Sequence, residues 1–211
     1  MLTEISFIFF LVSFNPQSEL KESFRTKEIL DLSYGVSIGI ASSALISTVD
    51  LRLRNEIVNE NTKKLGKILS IPGEAWFLLP LCILGYTSGA LLRSPQTRII
   101  FLRSLATLGI TTSVAQILKF SGRYRTYQSP ENQWRFSPLG LEDWRRSFPS
   151  GHSQASASVY FTISNICKNK VCKYAIISIP FIVATGRVLA DEHWLSDTVG
   201  GIIIGGSFEI F

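Results

Sequence analysis

A chain of 211 residues can bury one core or form one compact membrane bundle, and it is short for two ordinary domains. Its formal charge of +5 is scattered through loops with no recognition motif beside it, which argues against nucleic acid as a partner. Three cysteines make an odd count without metal-ligand spacing, so Cys82, Cys167 and Cys172 are expected to be free thiols.

Residues 5–14 are apolar but few, follow Glu4 rather than a basic residue, and lack a small-residue cleavage site. Residues 1–14 therefore read as a signal or anchor segment of poor secretory character, and 15–211 as a single domain. Nearly uncharged runs follow at 33–49, 75–92, 99–118, 153–166, 174–186 and 198–211. Their length, small-residue content and lack of strict alternation predict helices. The fold class is thus all-α: a six-helix bundle, integral to a membrane, with its site at the helix ends on one side. The runs 75–92 and 99–118 are long enough to span a bilayer, the second with Arg103 facing protein or snorkelling; the last three are shorter, which keeps a soluble bundle open.

Residues 51–67 mix Lys and Arg with Glu and read as a solvated connector. Pro80 and Pro180 should kink or break their helices. Gly201 and Gly205, flanked by Gly200 and Gly206, give the last helix a small face on which another helix can pack closely. The basic residues divide evenly between the two sides once Lys119, Arg125 and Arg187 are set aside, so the positive-inside rule assigns no orientation. Trp76, Trp134, Trp144 and Trp194 all fall on the side that carries His152 and His193, which suits either an interfacial belt or core packing.

The chain has only two histidines, His152 and His193. Histidine can attack phosphorus or exchange a proton near neutral pH without drastic tuning, so a hydrolase built on this sequence uses these two or none. His152 closes the string Pro149-Ser150-Gly151-His152, where the start of a helix offers free N–H groups and a favourable dipole to an anion at Ser150 and Gly151. His193 and Asp197 are four residues apart on a helical face, so the carboxylate can orient the ring and leave its other nitrogen as the nucleophile. Arg187, six residues earlier, can clamp two oxygens. Lys119, Arg123 and Arg125 lie at the end of another apolar run, on the same side, with Lys119 and Arg125 as further phosphate ligands.

These motifs resemble the type 2 phosphatidic acid phosphatase superfamily, which also contains bacterial acid phosphatases and vanadium haloperoxidases. The resemblance runs from about residue 75 to the C-terminus. The family's Pro-Ser-Gly-His matches Pro149 to His152, and its Arg, His and Asp at the same spacing match Arg187, His193 and Asp197. It implies that His193 is the nucleophile, Asp197 its partner, His152 the general acid, and Ser150, Gly151 and Arg187 phosphate ligands, with neither metal nor cofactor.

Two positions depart from the family pattern. Lys119 and Arg125 have five residues between them instead of six, with Thr126 in place of a proline; Gly186 replaces a serine. One residue less turns a helical side chain by about 100°, so Lys119 needs an adjusted helix end to reach phosphate.

The expected function is hydrolysis of a phosphate monoester or pyrophosphate, on a phosphorylated lipid or a small ester, through a phosphohistidine. The expected location is the bacterial inner membrane with the site facing the periplasm, or the soluble periplasm. A vanadate-dependent haloperoxidase and a catalytically weak membrane protein that keeps the fold are the alternatives.

Overall fold

The computed structural model describes residues 26–140 and 142–210; the segment 1–14 expected as a signal or anchor lies outside them. All six expected helices are present: α1 (Thr26–Ile46), α4 (Ala75–Leu91), α5 (Pro95–Leu118), α6 (Gly151–Ile163), α7 (Lys170–Leu189) and α8 (Leu195–Gly205). Two more fill the segment read as a connector, α2 (Asp50–Ile57) and α3 (Glu60–Ser70), and a short α9 (Ser207–Ile210) ends the described chain. No strand occurs among the described residues.

Local signals place the ends. Asn59 caps α3 by accepting from the Asn61 and Thr62 amides, Ser94 with Pro95 opens α5, and Asn169 accepts from the Val171 amide to open α7. Pro80 and Pro180 lie inside continuous helices rather than at breaks. With its charged first turn included, α7 reaches 20 residues, a spanning length that its apolar run alone did not show.

Four stretches are long and apolar enough to cross a membrane: Lys27–Ile57, Glu60–Leu91, Pro95–Ser121 and Lys170–Leu189. Their outer faces carry exposed Leu45, Leu84, Ile117 and Phe181, an apolar surface that suits lipid and not water. The protein is an integral membrane protein. The shorter α6 and α8 are buried among the longer helices, so they need no lipid-facing length of their own.

Small residues make that burial tight. A Cβ on Gly205 would meet the Gln154 carbonyl oxygen at 2.1 Å, and one on Gly201 the Ser150 carbonyl oxygen at 2.7 Å, so the glycine face of α8 packs directly on α6. Arg103 faces protein, 3.2 Å from both Glu28 and Glu209. Trp194 is buried with its indole N–H on the Tyr124 carbonyl, which makes it core rather than belt.

Two expectations need correction. Residues 51–67 are not a plain connector but lie in two helices: α3 is exposed along one side and turns Gly66 and Ser70 inward, and a Cβ on Gly66 would meet the Gly186 carbonyl oxygen at 2.6 Å, so α3 lies against α7 backbone to backbone. The same contact explains Gly186, where a serine side chain would collide with α3. Cys167 and Cys172 are not free; they form a disulfide across the α6–α7 turn, and only Cys82 is free among the described cysteines.

Candidate active site

Both α5 and α7 end, and both α6 and α8 begin, on one side of the bundle, and every residue expected in the site lies at those ends or in the loops between them. His193 precedes α8 and is 2% exposed. Its Nδ1 lies 3.4 Å from the Ser147 hydroxyl and 3.7 Å from Asp197 Oδ2, which leaves Nε2 as the free ring nitrogen. Asp197 is fixed more firmly than the ring it faces: Oδ1 accepts from Arg123 at 2.6 Å, and Oδ2 accepts from Ser147 Oγ at 2.5 Å and from the Trp194 amide at 3.0 Å.

Arg123 is the centre of a buried network that the spacing of motifs did not reveal. One guanidinium nitrogen donates to Asp197 and to Ser196 Oγ at 2.6 Å, and the other reaches Asp50 at 2.8 Å. Asp50 in turn accepts from the Ser196 amide at 2.9 Å and from the Ser196 hydroxyl. Arg123, Asp50, Ser147 and Ser196 are thus positioning residues for Asp197.

His152 stands in the first turn of α6, its side chain about a quarter exposed, with Nε2 3.1 Å from Glu74 Oε1 at the start of α4. Arg125 and Arg187 lie close enough to act electrostatically on both histidines. Arg125 donates to Glu192 at 2.6 Å and to the Asp143 carbonyl at 3.1 Å; Arg187 lies 3.6 Å from Glu192, and its Nε is buried with no partner among the described residues.

Lys119 reaches the same cluster, because α5 tightens into a 3-10 turn over Lys119–Ser121 and closes on Gly122 at φ 73°. That turn supplies the adjusted helix end that the short spacing demanded. Glycine is required at 122, since a Cβ would fall 1.8 Å from the Ser137 carbonyl oxygen. Lys119 Nζ donates to the Arg146 carbonyl at 2.8 Å and faces Arg125 and Asp197. Thr126, which takes the place of the family proline, donates its hydroxyl to the Asp191 carbonyl and ties this loop to the one that carries His193.

The start of α6 offers less than expected at one position. The Ser150 amide is already donated to the Asp197 carbonyl at 3.0 Å, so Ser150 brings only its hydroxyl, and the unpaired amides belong to Gly151 and the residues after it. A Cβ on Gly151 would meet nothing within 4 Å, so the space beside the first residue of α6 is open. From here a groove of about 500 Å³ runs between α4, α5 and α6, with Lys119, Gly151 and His152 at one end and Leu79, Leu105 and Leu108 along its walls.

Burial pushes the His193 imidazole well below the ordinary histidine value of 6.5; the Asp197 carboxylate opposes this, and the Arg125 and Arg187 charges add to it. The neutral ring is the form that can attack, and a lowered value keeps it neutral to lower pH. The acidic limb of kcat/KM that belongs to His193 should therefore lie below pH 6.5, after correction for substrate ionisation. An acidic limb above that value in the wild-type enzyme would show a solvated imidazole instead.

Fold and site together define a membrane-embedded helical bundle with a cluster of cationic side chains and two histidines at one end. The chain belongs to the PAP2 superfamily, whose model matches residues 99–211, more than half of its length. No curated relative matches the sequence. The crystal structure of the first transmembrane PAP2 type phosphatidylglycerolphosphate phosphatase from Bacillus subtilis is similar over 84% of this chain and 92% of its own, at 21% identity and a TM-score of 0.64. That of Aquifex aeolicus LpxE is similar over 76% of this chain and 90% of its own, at 19% identity and a TM-score of 0.54.

Proposed function

We propose that this protein is a lipid phosphatase that hydrolyses a phosphate monoester or pyrophosphate through a phosphohistidine at His193. The observation that carries the reading is a groove with apolar walls that ends on His152, Lys119 and the amides of α6, beside His193 with Arg125 and Arg187. An acyl or prenyl chain suits the groove, and a phosphate group suits its end. The Bacillus neighbour acts, by its name, on a phosphorylated glycerolipid, which belongs to the same substrate class.

In this mechanism Arg125, Arg187, Lys119, the Ser150 hydroxyl and the Gly151 amide hold the non-bridging phosphate oxygens. His193 Nε2 attacks phosphorus, a P–N bond forms, and the P–O bond to the leaving group breaks. His152 gives its proton to the departing oxygen and then takes one from water. That water attacks the phosphohistidine, breaks the P–N bond, releases inorganic phosphate and restores His193. A proton on His193 Nδ1 faces the Ser147 hydroxyl and the Asp197 carboxylate, which keeps Nε2 unprotonated for the attack. We further propose the bacterial inner membrane as its location, with the site toward the periplasm.

Vanadate tests the convergence, because its five-coordinate form copies the transition state and takes an axial nitrogen from His193. It should inhibit more tightly than inorganic phosphate, and His193→Ala should erase the difference. Equal inhibition would overturn the reading, and bromide oxidation by peroxide at a rate rivalling phosphate release would replace it with a haloperoxidase.

The groove has its own test. Gly109 lies along it on α5 with nothing within 4 Å of an added Cβ, so a larger side chain enters open space without disturbing the packing. Gly109→Leu should lower kcat/KM for a long-chain lipid phosphate about tenfold and leave a small water-soluble phosphate ester unchanged. Equal effects on both substrates would show that the groove does not take the chain.

A further inference from the structure

We infer that Glu192 is an internal competitor for the phosphate subsite, a residue that fills the anion pocket of the free enzyme and helps to expel inorganic phosphate after turnover. The inference rests on the phosphatase reading and adds a residue that its motifs do not contain. One carboxylate oxygen, Oε2, is 2.6 Å from Arg125 and 3.6 Å from Arg187, so a single negative oxygen bridges the two arginines proposed to hold phosphate. It takes the place that a phosphate oxygen would have between them.

Three features make this an exchangeable contact rather than a permanent one. Arg187 keeps its buried Nε unpartnered among the described residues, so the carboxylate satisfies only part of what a phosphate with three oxygens would satisfy. The Glu192 side chain is 31% exposed while Arg125 and Arg187 are 11% and 10%, which gives it somewhere to go when an anion arrives. Its backbone is anchored independently, because neighbouring Asp191 is held by Arg54 through two bonds of 2.7 and 2.8 Å and accepts from Thr126. The side chain can swing away without moving His193, the next residue.

A site partly occupied by its own anion binds a competing anion more weakly in proportion to the fraction of time it stands open. Substrate regains that loss through its lipid chain in the groove, whereas inorganic phosphate has no chain. Glu192 therefore weakens both by the same factor, and the product, which has no chain to hold it, is left with the low affinity that fast release requires.

The test uses the full-length protein in detergent, with inorganic phosphate as the probe in a direct binding titration and in thermal unfolding. Glu192→Gln keeps the size and removes the charge; it should bind phosphate about tenfold more tightly, show a larger phosphate-induced rise in Tm, and lower KM without raising kcat. Glu192→Asp, whose shorter carboxylate cannot bridge both arginines, should shift in the same direction and guards against a glutamine variant that folds badly. Unchanged or weaker phosphate binding in both variants, with wild-type binding intact, would overturn the role of Glu192 and leave the phosphatase reading standing. Absence of phosphate and vanadate binding in wild type and variants alike would remove the anion site, and the proposed function with it.

Discussion

His193→Ala is expected to lower phosphate release by about a thousandfold or more while folded protein is still recovered. No other histidine can substitute, since the chain has two and His152 stands at the start of α6 against Glu74. The fold should survive because the network around Asp197 does not depend on the ring. Arg123, Ser147 and the Trp194 amide all hold that carboxylate at 3.0 Å or less, whereas His193 is 3.7 Å away. The measurement is phosphate release from a soluble ester and from a lipid phosphate, alongside thermal unfolding and trapping of an acid-labile phosphoryl group in wild type. Turnover above about a tenth of wild type in the variant would remove His193 as the nucleophile.

Much of this arrangement was legible in the sequence, because the helices that make the site carry their signal locally. Long apolar runs with small residues show as helices whatever surrounds them, and the glycines of α8 announced close packing. Pro149-Ser150-Gly151-His152 and the Arg187, His193, Asp197 spacing sit at helix ends, where chain geometry alone brings side chain and amide to one place. What stayed hidden depended on partners far along the chain. Residues 51–67 are dominated by charged and polar side chains, and α3 meets α7 through the small Gly66 and Ser70, which give no apolar stripe to read. Gly186 departs from the family serine because Gly66 lies against it from a segment more than a hundred residues away. Arg123 and Arg125 are the same residue type two positions apart, and the carboxylates that claim Arg123 come from Asp50 and Asp197, positions that no local pattern connects.

That difference between neighbouring arginines yields the second large effect. Arg123 is 3% exposed and touches two carboxylates that are themselves fully buried, with Trp194 and Phe136 stacked at 5.7 and 5.9 Å. Arg123→Leu leaves Asp50 and Asp197 facing each other across an apolar gap, and breaking a buried pair from one side costs about 3–5 kcal/mol. Arg123→Lys should fail nearly as badly, since a compact ammonium cannot present two separate donors to two carboxylates. Arg125→Ala should behave differently: its partners Asp143 and Glu192 have solvent available, so the protein should keep its thermal stability and lose phosphate release. The double variant Arg123→Leu with Asp50→Leu should regain part of the stability lost by Arg123→Leu alone, because it removes one of the two stranded charges. Thermal unfolding in detergent, read together with phosphate release for each variant, decides the matter. If Arg123→Leu unfolds within about 1 kcal/mol of wild type and still turns over, Asp197 is held by its remaining contacts and the buried arginine is not what keeps His193 aimed at phosphorus.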